Sequence, residues 1–136
     1  MASILAVRDG LKARLATIAG MHPYDIVPDD ITTPAAVVMP GDPLIVFDST
    51  FGRATDELNF VILLLVQFAN ERTAQDALDA YLAGSGSSSV KAAVEGDQTL
   101  GGSAGYCTVT SAINYGGREY AGVNYLGVEF TVVVGS

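Results

Sequence analysis

Apolar residues recur along this chain with two different periods, and the places where one period gives way to the other divide it into elements. Residues 2–19 carry Ile4, Val7, Leu11, Leu15 and Ile18 at spacings of three and four, with Arg8, Lys12 and Arg14 on other faces and Gly20 as a stop. That spacing predicts an amphipathic helix. Pro23, Pro28 and Pro34 follow, and each disfavours helix at the residue before it, so residues 21–34 are expected as an extended loop leading into a strand over 35–40. The run Ala35-Ala36-Val37-Val38-Met39 is too uniformly apolar for a wet face, which places it centrally or under a helix. Leu44-Ile45-Val46-Phe47 reads as a second short strand, and Asp48-Ser49-Thr50-Phe51-Gly52 breaks the pattern with small, turn-forming residues. A protruding hairpin or arm is expected over residues 41–56.

From Asp56 the period becomes two. Leu58, Phe60, Ile62, Leu64, Val66 and Phe68 form one apolar row, while the alternate row is polar at both ends, at Asn59 and Gln67; one face is fully covered and the other only in its middle. A second helix is expected with Thr73 as cap and Ala74, Ala77, Leu78 and Tyr81 inward, ended by Gly84. Val90 and Val94 stand four apart before Gly96, so the serines of 85–89 cap a short third helix rather than forming a linker. Residues 97–105 read as loop. Two long strands, Tyr106 to Tyr115 and about Ala121 to Val134, are expected to join around Gly116-Gly117 as a hairpin. The whole predicts one α+β domain over residues 1–136: a mainly antiparallel sheet, helices packed on one face, and the protruding arm.

Composition narrows the function. With 136 residues the chain is long enough to bury about 70% of its unfolded surface around one core. A mean hydropathy of +0.35 is high for a free monomer and points to surface buried against other subunits. The formal charge of −8 leaves no footprint for phosphate binding. Cys107, the single cysteine, has no partner for an internal disulfide and reads as a buried reduced thiol. No basic, apolar leader pattern opens the sequence, and the longest apolar run, Phe60 to Val66, is far short of the ~20 residues that cross a bilayer. No membrane partner is expected.

Catalytic and ligand motifs fail on context. Gly101-Gly102-Ser103-Ala104-Gly105 has G-x-S-x-G spacing, but it follows a helix and precedes a strand, the reverse of a nucleophile elbow. The single histidine, His22, lies upstream in the proline-rich segment. Gly84-Ser85-Gly86-Ser87 before a helix suits capping better than anion binding, because no Gly-Lys-Ser/Thr follows. Asp29, Asp30, Asp42 and Asp48 lack the spacing of a calcium loop, and one His with one Cys makes no zinc set. The reading is a non-enzyme with no cofactor and no metal. A small hydrolase or a small-molecule binding module is the remote alternative. The residues singled out for function are Phe47, Asp48, Phe51 and Arg53 in the arm, since aromatics and an arginine bury large areas and pair with a neighbour's carboxylates. Tyr115, Tyr120 and Tyr125 are a second contact surface, read first as half-buried strand tyrosines.

Several segments together carry a family resemblance. They are Val27-Pro28-Asp29-Asp30-Ile31-Thr32-Thr33-Pro34 running into Ala35 to Pro43, Phe51-Gly52-Arg53-Ala54-Thr55-Asp56, Ala74 to Gly86, and Tyr125 to Val132. They resemble the tail terminator proteins of long-tailed bacteriophages of actinobacteria, over nearly the whole chain. The resemblance implies a virion protein, made in the host cytoplasm and carried at the head-proximal end of the tail. Six copies would form a ring that caps the tube of major tail protein, ends its polymerisation and meets the head-closure or connector protein. DNA would pass through without specific binding. Within the same class, a head-closure or stopper protein or a minor tail protein is the alternative.

Overall fold

The computed structural model describes residues 4–18, 21–24, 32, 34–46, 57–67, 71–84, 86, 89–97, 99–100, 102, 105–120 and 122–135. The elements are α1 (Ile4–Leu15), β1 (His22–Tyr24), β2 (Ala35–Val46), β3 (Glu57–Gln67), α2 (Glu71–Leu82), α3 (Val90–Glu95), β4 (Tyr106–Tyr120) and β5 (Val123–Gly135). The strands form one sheet in the order β1-β2-β3-β5-β4. Only the β1–β2 pair is parallel; the other three pairs are antiparallel. This is the α+β architecture expected from the sequence.

The period-two row of β3 decides which face the helices cover. Leu58, Phe60, Ile62, Leu64 and Val66 are buried in one cluster with Leu126, Val128, Phe130, Val132 and Val134 of β5 and with Val7, Leu11 and Leu15 of α1, Leu78 of α2, and Val90 and Val94 of α3. Residues paired across antiparallel strands share a face, and the register Phe60↔Val132, Ile62↔Phe130 and Leu64↔Val128 brings the two rows together. All three helices therefore lie on one side of the sheet. Each fully buried Leu, Val or Phe contributes roughly 1.5–3 kcal/mol of transfer free energy. On the opposite side a smaller cluster holds Ala35, Val37, Leu63, Leu65 and Tyr125, with Tyr24 and Met39 packed against it. Gln67, at the end of that row, is exposed, in keeping with a face covered only in its middle.

Four local expectations are corrected. Residues 21–34 are not wholly loop: His22–Tyr24 pair with Ala35–Val37, a strand that Pro23 masks in the sequence and that the sheet tolerates because β1 is an edge. The two short strands expected over 35–47 are one. β2 continues through a bulge in which residues 41–44 stand opposite Asn59 alone, and Gly41 permits it, since a methyl there would lie 2.7 Å from the Asn59 carbonyl oxygen. Helix α2 starts at Glu71, so Thr73 lies within it rather than capping it.

The last hairpin turns beyond the pair Tyr120↔Val123, and not at Gly116-Gly117. Gly122, at φ +79°, supplies the left-handed turn residue. The glycine pair instead follows a bulge in which Asn114 and Tyr115 face Val128, with Asn114 at φ +57°. Asn is among the few non-glycine residues that accept that conformation readily. The proposed arm beyond Val46 lies outside the described residues.

Candidate interface at the sheet edge

Among the described residues, strand β4 is the outer strand of the sheet and pairs with β5 alone. An outer strand leaves every second set of backbone N–H and C=O groups free to hydrogen-bond with another chain. Proteins commonly guard such edges with lysine, proline or charge, yet residues 106–117 contain no charged side chain and no proline. The edge is instead twisted by two bulges, at Thr110 and at Asn114–Tyr115. Residues 110–115 are all exposed. Among the described residues, the exposed large apolar side chains are Leu5, Tyr106, Ile113, Tyr115 and Val123, and all but Leu5 belong to the β4–β5 hairpin.

One carboxylate ties this strand to α3. Glu95, the last residue of α3, accepts through Oε2 from the Val109 backbone N–H at 2.9 Å, from Thr108 Oγ1 at 3.0 Å and from Lys91 Nζ at 2.5 Å. Burial would raise its pKa, but hydrogen bonds from Lys91, Val109 and Thr108, with the Lys91 charge, outweigh burial and lower it. Helix α3 is itself placed at both ends. Ser89 caps it, its hydroxyl accepting from the Ala92 N–H at 3.1 Å, as the serine run predicts. At the other end Arg14 of α1 donates from Nε to the Ala93 carbonyl at 2.8 Å, where a cation complements the helix terminus.

Beneath the strand, Cys107 is fully buried, and burial, with the nearby Glu95 charge, pushes its thiol up to about 12. Such a thiol is a structural apolar group, unreactive at neutral pH. Tyr106 covers the backbone of its cross-strand partner Gly135: a methyl built there would lie 2.0 Å from the ring. Further along, Tyr115 approaches Asp79 Oδ1 of α2 with its hydroxyl at 3.4 Å. Its pKa is raised, first by burial and then by the charges of Asp79 and Asp76.

Between α2, α3 and β4 lies a groove of about 170 Å³, lined by Leu82, Lys91, Val109, Thr110, Ser111, Ala112 and Phe130. Its floor is apolar, from Leu82, Val109 and Phe130. Its wall is the edge strand itself. The arrangement sets a side-chain slot beside a strand edge that has no strand partner among the described residues.

Of the residues singled out in the sequence, Phe47, Asp48, Phe51 and Arg53 lie outside the described residues, as does Ser103. Tyr125 is buried and Tyr115 exposed, so the hairpin tyrosines do not form one surface. The ring Nδ1 of His22 lies 3.2 Å from the Pro34 carbonyl, and among the described residues no three His, Cys, Asp or Glu side chains gather as a metal site. The exposed Tyr106, Ile113 and Val123 are not among the residues singled out in the sequence; the absence of charge from 106–117 is the signal for the first two. No protein-family model matches the chain, and no curated protein matches it.

Proposed function

We propose that the protein is a tail terminator, a structural subunit of a long-tailed phage that forms a ring on the tail tube, ends its polymerisation and joins the tail to the head. The reading is carried by the sequence resemblance, whose segments are spread over nearly the whole chain. Two physical features support it. The mean hydropathy of +0.35 is that of a subunit with surface reserved for neighbours, and among the described residues all the exposed large apolar side chains but Leu5 collect on one hairpin. A closed ring of identical subunits needs one patch to meet a different patch on the next copy. The segment carrying Phe47, Asp48, Phe51 and Arg53 is the proposed first patch, and a net charge of −8 suits a conduit that must not hold DNA. The ring would contact the major tail tube protein on one side and the head-closure protein on the other.

Disabling the gene in its phage and measuring tail lengths by electron microscopy tests the reading. Overlong, headless tails are expected. Tails of normal length that fail to join filled heads would place the protein in the head-closure class instead.

A further inference from the structure

The edge described above has a chemistry of its own, independent of the terminator reading. Among the described residues no strand pairs with the outer side of β4, whose Val109 N–H is held by Glu95; the stretch 106–117 is uncharged, and the groove beside Val109–Ala112 is floored by Leu82 and Phe130. Acidic side chains border this strip. Asp79 reaches Tyr115, Asp76 acts on the same tyrosine, Glu119 is exposed within β4, and Glu129 accepts from Asn114 Nδ2 at 2.6 Å. Lys91, the basic side chain lining the groove, is already engaged by Glu95.

We infer that the outer edge of β4 takes up an extended segment of a different protein as an added strand, with an apolar side chain in the α2–α3–β4 groove and basic residues against the acidic border. Backbone pairing supplies affinity in this mode and the alternate side chains supply specificity. Charge decides against a second copy as occupant. Arg118 is the one Lys or Arg in the described strands, so a second copy offers no basic-flanked strand among the described residues to meet the acidic border.

The probe is a ten-residue peptide of alternating threonine and valine with two lysines at each end, mixed with the intact protein and followed by amide hydrogen exchange. Binding should slow exchange within residues 106–113. Exchanging the lysines for glutamates should weaken binding roughly tenfold at low ionic strength, a gap that closes toward ~0.5 M salt. N-methylation at alternate peptide residues should abolish it, because the backbone donors are gone while the protein is untouched. Ala112→Leu, at an exposed position, should leave the fold intact and weaken binding by filling the groove. Absence of protection on β4, equal binding by the N-methylated peptide, or protection of the same amides by raising the concentration of the protein alone would each overturn the inference. The last would assign the edge to a second copy.

Discussion

Removing the carboxylate of Glu95 should loosen the joint between α3 and the edge strand by a calculable amount. Three donors converge on Oε2, from Lys91, Thr108 and Val109. Bonds to a charged acceptor are worth about 1.5–3 kcal/mol each when buried, and an orphaned buried donor costs about 1–3 kcal/mol. Here the Glu95 side chain is 21% exposed and Lys91 44%, so the ion pair itself counts for only a few tenths of a kcal/mol. The Lys-before-Glu order at i, i+4 is also the less favourable one. The Val109 N–H matters most, because Val109 is buried and its donor loses its acceptor. Glu95→Ala should therefore cost about 2–3 kcal/mol, Glu95→Gln about 1–2 kcal/mol and Lys91→Met under about 0.5 kcal/mol.

The assay is urea unfolding from pH 7 to pH 3. Glu95 has a pKa below its ordinary value of 4.5. A carboxylate of that kind contributes stability that is present above the unfolded pKa and lost as pH falls through the folded one. The gap between wild type and Glu95→Gln should hold from pH 7 to about 4.5 and shrink below it. A gap that persists unchanged to pH 3, or a Lys91→Met variant as unstable as Glu95→Ala, would refute the assignment of the carboxylate as the main tie.

Three further outcomes are expected. Gly10→Ala should destabilise by about 1–3 kcal/mol in thermal unfolding, although Ala is the better helix former, because a methyl there would lie 2.8 Å from Leu100 Cβ and 3.2 Å from the Leu100 carbonyl oxygen; a gain in stability would show that the Leu100 turn yields. Cys107 should resist thiol-specific reagents at pH 8 until the protein unfolds. Its raised pKa, 9.0 ordinarily against about 12 folded, adds stability fully present below pH 9 that is lost as pH rises through the folded value, a fall absent from Cys107→Ala and measurable by alkaline unfolding. On the proposed ring assembly, Arg53→Glu should leave the subunit folded but keep it out of rings, and normal incorporation would remove the 47–53 segment as the main contact.

What the sequence disclosed is what is encoded within a few residues. The even row of β3 and a serine cap on α3 follow from spacing or from one side chain beside one helix, and among the described residues both stand where expected. Features that depend on distant partners did not show. His22–Tyr24 becomes a strand only because Ala35–Val37 lies alongside. Gly116-Gly117 resembled a turn because the bulge at Asn114, after which pairing runs on to Tyr120↔Val123, is defined by its partner Val128. The same holds for the interface. Its lack of charge is plain in the sequence, but that β4 is the outer of the described strands, and that Glu95 ties it to α3, are set by strand order and by a tie spanning thirteen to fourteen residues.

The strand order also governs how the molecule comes into being. β5 sits between β3 and β4, although it is the last of the five to be synthesised. Until residues 123–135 have left the ribosome, β3 shows a bare apolar margin and β4 has no neighbour at all. The nascent sheet is thus two unjoined halves, and closing it is a long-range, slow step. Chaperones would have their longest opportunity on this chain in the interval before that strand slots in, when adjacent copies on one polysome are at greatest risk of exchanging it.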